Sequence, residues 1–139
     1  MEPDQLHRIR ESFAAQTMMD TLGAKLTCLE RGLIRVTAPI LPEARQQQGF
    51  GHAGLTFAIG DSAAGYAALS MMPLDCEVVT AEIKINLLAP AKGEFLVATG
   101  RVAKPGRRLC VVTSEVHAVT GDQTTLIAIL QGTMVPVPR

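Results

Sequence analysis

An excess of charge of either sign is what this 139-residue chain most plainly lacks: 13 lysines and arginines stand against 13 aspartates and glutamates. With no basic stripe there is no electrostatic footprint for nucleic acid. With no block of like charge there is none for a membrane surface or an acidic partner. The opening Met1-Glu2-Pro3-Asp4-Gln5 has no basic stretch leading into an apolar one, so no secretory signal is expected. Cysteine is scarce too, and Cys28, Cys76 and Cys110 fall at no metal or redox spacing. The expectation is three reduced thiols, no metal site and a cytoplasmic location. Repeats, low-complexity tracts and linkers are missing, and the length predicts one domain over residues 1–139.

What the chain does have is a long apolar run, Phe50 to Met72, with a single acid in it. From Leu55 to Met72 only Asp61 is formally charged. Glycines, hydroxyls and that acid argue against a membrane-spanning helix. A carboxylate in such company is desolvated, which costs several kcal/mol, on the order of the burial penalty, unless it is paired or protonated. A lone acid on an apolar helix is therefore a candidate reactive group. A cap at the start of a shorter helix, from Gly60-Asp61-Ser62, is the alternative. His52, nine residues earlier in a glycine-bearing turn, is a second candidate.

Around this run the periodicity predicts an N-terminal helix from Pro3 to about Asp20, with Leu6, Ile9 and Phe13 on one face and Arg8 or Arg10 opposite. Ala24–Glu30 and Leu33–Ala38 read as strands, and Pro39–Gln48 as a loop. The central helix starts near His52 or Ala53 and ends before Pro73. Alternation then places Val79, Ala81, Ile83, Ile85 and Leu87 on one face of a strand, with Thr80, Glu82, Lys84 and Asn86 on the other. Phe95–Lys104, Leu109–Val119 and Thr124–Val135 complete a series of strands joined by turns at Pro90–Gly93, Pro105-Gly106 and Thr120–Asp122. Gly106 is expected to supply a positive φ. An antiparallel sheet with few helices is the α+β class. A helix apolar on nearly all sides must be covered on most of them, so the sheet should curve around it. Gly54, Gly60 and Gly65 each cost about 1 kcal/mol of helix propensity, and close backbone approach or a partner subunit is the expected reason for them.

Gln46, the turn His52-Ala53-Gly54 and Asp61, followed by Thr80-Ala81-Glu82-Ile83-Lys84-Ile85-Asn86-Leu87-Leu88-Ala89-Pro90-Ala91 and Lys104-Pro105-Gly106-Arg107-Arg108, resemble the hotdog-fold acyl-CoA thioesterases. The likeness is to their phenylacetate-degradation (PaaI-like) branch. It spans about Leu22 to Val135, with one departure: Ala53 stands where that family has glycine. If the turn needs a positive φ there, alanine is strained.

The resemblance implies a hotdog fold and hydrolysis of an acyl- or aryl-CoA thioester. It implies that Asp61 is general base or nucleophile, and that N–H groups of Ala53 and Gly54 at the helix N-terminus form the oxyanion hole. Gln46 would orient the water or the thioester carbonyl, and His52 would hold the turn. The acid would come from across a dimer interface, in a dimer of dimers. Thr80, Asn86, Lys104, Gly106, Arg107 and Arg108 would contact substrate, the basic hairpin meeting the phosphates of coenzyme A; a solvated basic turn is the plainer reading of that cluster. No cofactor is implied, since coenzyme A arrives as part of the substrate. A hydratase or dehydratase acting on acyl thioesters, and a non-catalytic acyl-CoA binder, are the alternatives.

Overall fold

The computed structural model describes residues 1–139. Its elements are α1 (Pro3–Ala15), α2 (Thr17–Thr21), β1 (Lys25–Glu30), β2 (Leu33–Pro39), a 3-10 turn (Pro42–Ala44), α3 (Ala53–Leu69), β3 (Cys76–Leu87), β4 (Phe95–Lys104), β5 (Cys110–Thr120) and β6 (Gln123–Pro138). The expected N-terminal helix is thus two: Gln16, at φ −77° and ψ 94°, breaks it.

All six strands form one antiparallel sheet in the order β1-β2-β4-β5-β6-β3. Turns at β1–β2, β4–β5 and β5–β6 are hairpins, as expected. The Pro90–Gly93 turn is not. The segment leaving β3 crosses the ends of two strands, with Leu88 N–H donating to Ile127 O (2.8 Å) and Glu94 N–H to Val119 O (2.8 Å). It then enters β4 between β2 and β5. This crossing lets β3 return at the edge opposite β1, so that the sheet encloses α3 from both sides.

α3 is buried along most of its length, with Ile59, Ala63, Ala64, Ala67, Ala68 and Leu69 fully inaccessible. The closest approach is made from the strand side. A Cβ on Gly100 of β4 would lie 2.2 Å from the Ala63 carbonyl carbon, so no other residue fits there. Among the helix glycines, Gly60 does face a tight contact, with Leu130 methyls 3.0 Å from a would-be Cβ. Gly65 does not: a Cβ there would meet nothing nearer than Met134 at 4.0 Å. Gly106 also corrects an expectation. It is not among the positive-φ residues; a Cβ would instead press on Leu109 O at 2.4 Å.

Arg8 departs from its expected place on the solvent face of α1. It is 3% exposed, and its guanidinium donates to Leu69 O (2.7 Å), Pro73 O (2.6 Å) and Cys76 O (3.0 Å). Met72 O (3.2 Å) and the Gln5 side-chain oxygen (2.7 Å) accept from it as well. A planar fork of donors ties α1 to the carbonyl-rich C-terminal end of α3, where the helix dipole favours a cation. Arg8→Met should cost about 3 kcal/mol by leaving buried carbonyls unmet, lowering Tm by roughly 10 °C in a chain of this size. Arg8→Lys should recover only part of this loss, because one ammonium cannot span all four carbonyls. An unchanged melting curve for Arg8→Met would contradict the assignment.

Candidate active site

His52 opens α3 as its N-cap at φ −62° and ψ 145°. Its Nδ1 accepts the Gly54 N–H at 2.7 Å, which fixes the ring as a turn-holding group with its proton on Nε2. Leu55 N–H donates to His52 O at 3.0 Å. Ala53, an exposed residue at the first helical position, has an N–H that no protein group accepts. Ala53 has no positive φ, so alanine in place of glycine is unstrained. The free donor of this turn is therefore the Ala53 N–H, while Gly54's is engaged.

Ala53 borders a cleft of about 270 Å³, together with Gln46, Thr56, Leu87 and Ala91. The crossing segment after β3 builds one wall, held by Gly51 N–H donating to Ala91 O at 2.8 Å. Gln46 is half-buried, and its side chain pairs with Gln48. Structure thus brings Gln46 and Ala53 together, at the entry of α3.

Asp61 is the ninth residue of α3, so it cannot be a helix cap. Its carboxylate is half-buried, and Thr80 Oγ1 donates to Oδ1 at 2.8 Å. Burial raises the carboxyl above its ordinary pKa; the Thr80 hydrogen bond works the other way and is the smaller effect. Thr80 reaches Asp61 because β3 carries a bulge. Thr80 pairs with Met134 and Glu82 with Thr133, leaving Ala81 over. This extra residue reverses the alternation. Val78 and Thr80 turn inward, as Ile83 and Ile85 do after the bulge, and Val79 is thrown out to 48% exposure. The expectation that Val79 shares a face with Ile83, and Thr80 with Asn86, is thereby corrected. Bulges commonly re-aim one side chain in this way beside a reactive group.

Asp61 opens onto its own cleft of about 300 Å³, walled by α1 as well as by α3 and β3. Gly65, Tyr66, Ser12 and Gln16 border it. Gln16 Nε2 donates to the Tyr66 hydroxyl at 2.7 Å, and Ser12 Oγ lies 3.1 Å from the same oxygen. Sequence reading did not place Ser12 and Gln16 here. Their i, i+4 spacing, Ser12 on α1 and Gln16 at its C-terminal cap, was a signal that they share a side of the chain, but not of what that side meets.

Other candidates sit elsewhere. Asn86 lies on the outer side of β3 beside Glu82, Lys84 and Gln131. Lys104, Arg107 and Arg108 are exposed at the β4–β5 hairpin and make no ion pair. Gly106 and Arg107 border an apolar cleft of about 410 Å³ with Met71, Met72 and Pro73. No group of three or more His, Cys, Asp and Glu side chains is close enough to hold a metal ion. No helix is long and apolar enough to cross a membrane.

Eight residues separate Ala53 from Asp61, roughly 12 Å along the helix axis. Within one chain the unpaired donor and the desolvated acid thus face two different clefts. A helix clasped in one curved antiparallel sheet is the hotdog architecture. The chain belongs to the thioesterase superfamily, whose family model matches residues 48–125, more than half of its length. A protein of Saccharolobus solfataricus that bears an esterase name is 30% identical over 127 residues, covering 91% of this chain and 82% of the relative. The structure of a thioesterase family protein from Silicibacter pomeroyi is 38% identical with a TM-score of 0.95, over 97% of this chain and 99% of that one. The E. coli PaaI protein of the phenylacetic acid degradation operon shares the fold, with a TM-score of 0.84 at 21% identity over 96% and 94% of the two chains.

Proposed function

We propose that the chain hydrolyses acyl-CoA thioesters, with Asp61 of one copy and the Ala53 N–H of another completing each site. The observation that carries this reading is the half-buried carboxyl of Asp61, raised by burial and oriented by Thr80. A carboxyl that burial has made more basic is a better proton acceptor from water than an exposed one. Two features support the sharing of sites. The acid and the free donor occupy separate clefts in one chain. The long strand β3 leaves its outer edge unpaired beside Thr80, with Val79, Leu87 and Leu88 about half exposed along or just past it. Such an edge invites a second strand.

In the reaction, Asp61 takes a proton from water as the oxygen attacks the thioester carbonyl. The Ala53 N–H and the positive end of α3 stabilise the oxyanion that forms. Collapse breaks the C–S bond, and the proton on Asp61 passes to the departing thiolate, giving free acid and coenzyme A. Direct attack by Asp61 through a mixed anhydride balances equally, water then cleaving the anhydride. The basic hairpin of Lys104, Arg107 and Arg108, with Gly106 shaping its turn, suits the phosphates of coenzyme A; Asn86 serves the same substrate only if a partner copy brings it near. A hydratase reading has less support, since His52 spends its Nδ1 on the Gly54 N–H. A binding protein would need neither a desolvated acid nor a free donor.

Thiol release from a panel of acyl-CoAs tests the proposal; no release from any of them would overturn it. Thr80→Val adds a finer test. Removing a hydrogen bond to the charged carboxylate raises the Asp61 pKa further, so the acid limb of kcat/KM should move to higher pH. An unmoved limb would separate Thr80 from the reactive acid.

A further inference from the structure

Gly65 is a glycine that packing does not explain. It is buried in the middle of α3 at no positive φ, and a Cβ would touch nothing nearer than 4.0 Å. Alanine would be the better helix former at such a position. Gly65 lies one turn beyond Asp61, on the same face, and borders the same cleft. The space it leaves open is therefore space beside the reactive carboxyl. Ser12, Gln16 and Tyr66 border the same cleft. The Tyr66 hydroxyl, 4% exposed as a residue, accepts from Gln16 and has its own proton left for Ser12 or for a ligand.

We propose that Gly65 and the Ser12–Gln16–Tyr66 cluster set the acyl specificity of this site. The acyl group runs from the thioester past Gly65 and ends in a neutral hydrogen-bonding group met by the Tyr66 hydroxyl, so the favoured class is short ω-hydroxyacyl thioesters. This rests on the acyl-CoA thioesterase reading. A plain alkyl end would take water from these polar groups and return no hydrogen bond. A carboxylate end would meet Asp61 and Glu77, which both border the cleft, and like charges at close range are unfavourable.

The test compares kcat/KM for acetyl-CoA, hexanoyl-CoA, 6-hydroxyhexanoyl-CoA and adipoyl-CoA, in wild type, Tyr66→Phe and Gly65→Ala. Wild type should prefer the hydroxyacyl over hexanoyl thioester about tenfold, the worth of one buried hydrogen bond. Tyr66→Phe should bring that ratio to about one. Gly65→Ala should raise KM for both neutral six-carbon substrates several-fold relative to acetyl-CoA, while Tm rises by about 3 °C from helix propensity. Equal use of hexanoyl-CoA, a preference for adipoyl-CoA, an unchanged ratio in Tyr66→Phe, or an unchanged relative KM in Gly65→Ala would each overturn the assignment while leaving hydrolysis intact. No thiol release from any substrate would instead overturn the hydrolase reading, and this assignment with it.

Discussion

Asp61→Asn is expected to abolish thiol release and to raise Tm together. Loss of a positioned general base lowers turnover by about 10²–10⁴-fold, and a nucleophile lost would cost at least as much. The amide oxygen can still accept the Thr80 hydroxyl, so the packing around it is kept. The gain in stability follows from the direction of the pKa shift. Burial raises the folded carboxyl above its unfolded value, so the folded chain keeps a proton that the unfolded chain gives up. This contribution is present below the unfolded pKa and is lost as pH rises through the folded one. Asparagine has no proton to lose. The difference in Tm between variant and wild type should therefore grow from acid toward neutral pH. Retained turnover in Asp61→Asn would remove the residue from the chemistry. A Tm difference that does not change with pH would show that its burial is not what shifts it.

Ala53→Pro is expected to cost turnover by about 10²–10³-fold, the worth of one oxyanion donor, with the fold kept. Proline is favoured at the first turn of a helix, where its missing N–H has no helical partner to lose. The preceding residue must be extended, and His52 already is, at φ −62° and ψ 145°. The substitution thus deletes a single N–H and little else. Far-UV circular dichroism and Tm close to wild type, with thiol release lost, would identify this N–H as the oxyanion donor. Undiminished release would show that the oxyanion is held elsewhere.

The central helix, its acid and its entry turn were legible in the sequence because composition alone marks them. An unbroken apolar run with one carboxylate, preceded by histidine and glycine, has few other meanings. The strands between hairpins were legible from alternation and turn residues. Three things that bear on the site were not. The bulge at Ala81 adds a residue without changing composition, so strict alternation put Thr80 on the wrong face. Arg8 reads as a polar residue on an amphipathic helix, and only the carbonyl cluster at the end of α3, more than sixty residues away, draws it inside. The order of β3 in the sheet was hidden because a short proline-containing segment serves a hairpin and a crossing alike. Each of these is set by long-range partners, and each bears on the site: the bulge aims Thr80 at Asp61, Arg8 fixes α1 over the cleft, and the crossing walls the Ala53 side.

Sharing of the site between copies is best tested by mixing the two inactive variants. Asp61→Asn and Ala53→Pro chains, co-expressed at equal levels, assemble at random. In a two-fold arrangement that takes Asp61 from one chain and the Ala53 N–H from the other, about a quarter of all sites are then intact. Thiol release should return to about a quarter of the wild-type rate, although neither variant has it alone. A mixture that stays at the background of the separate variants would contradict a site built from two copies.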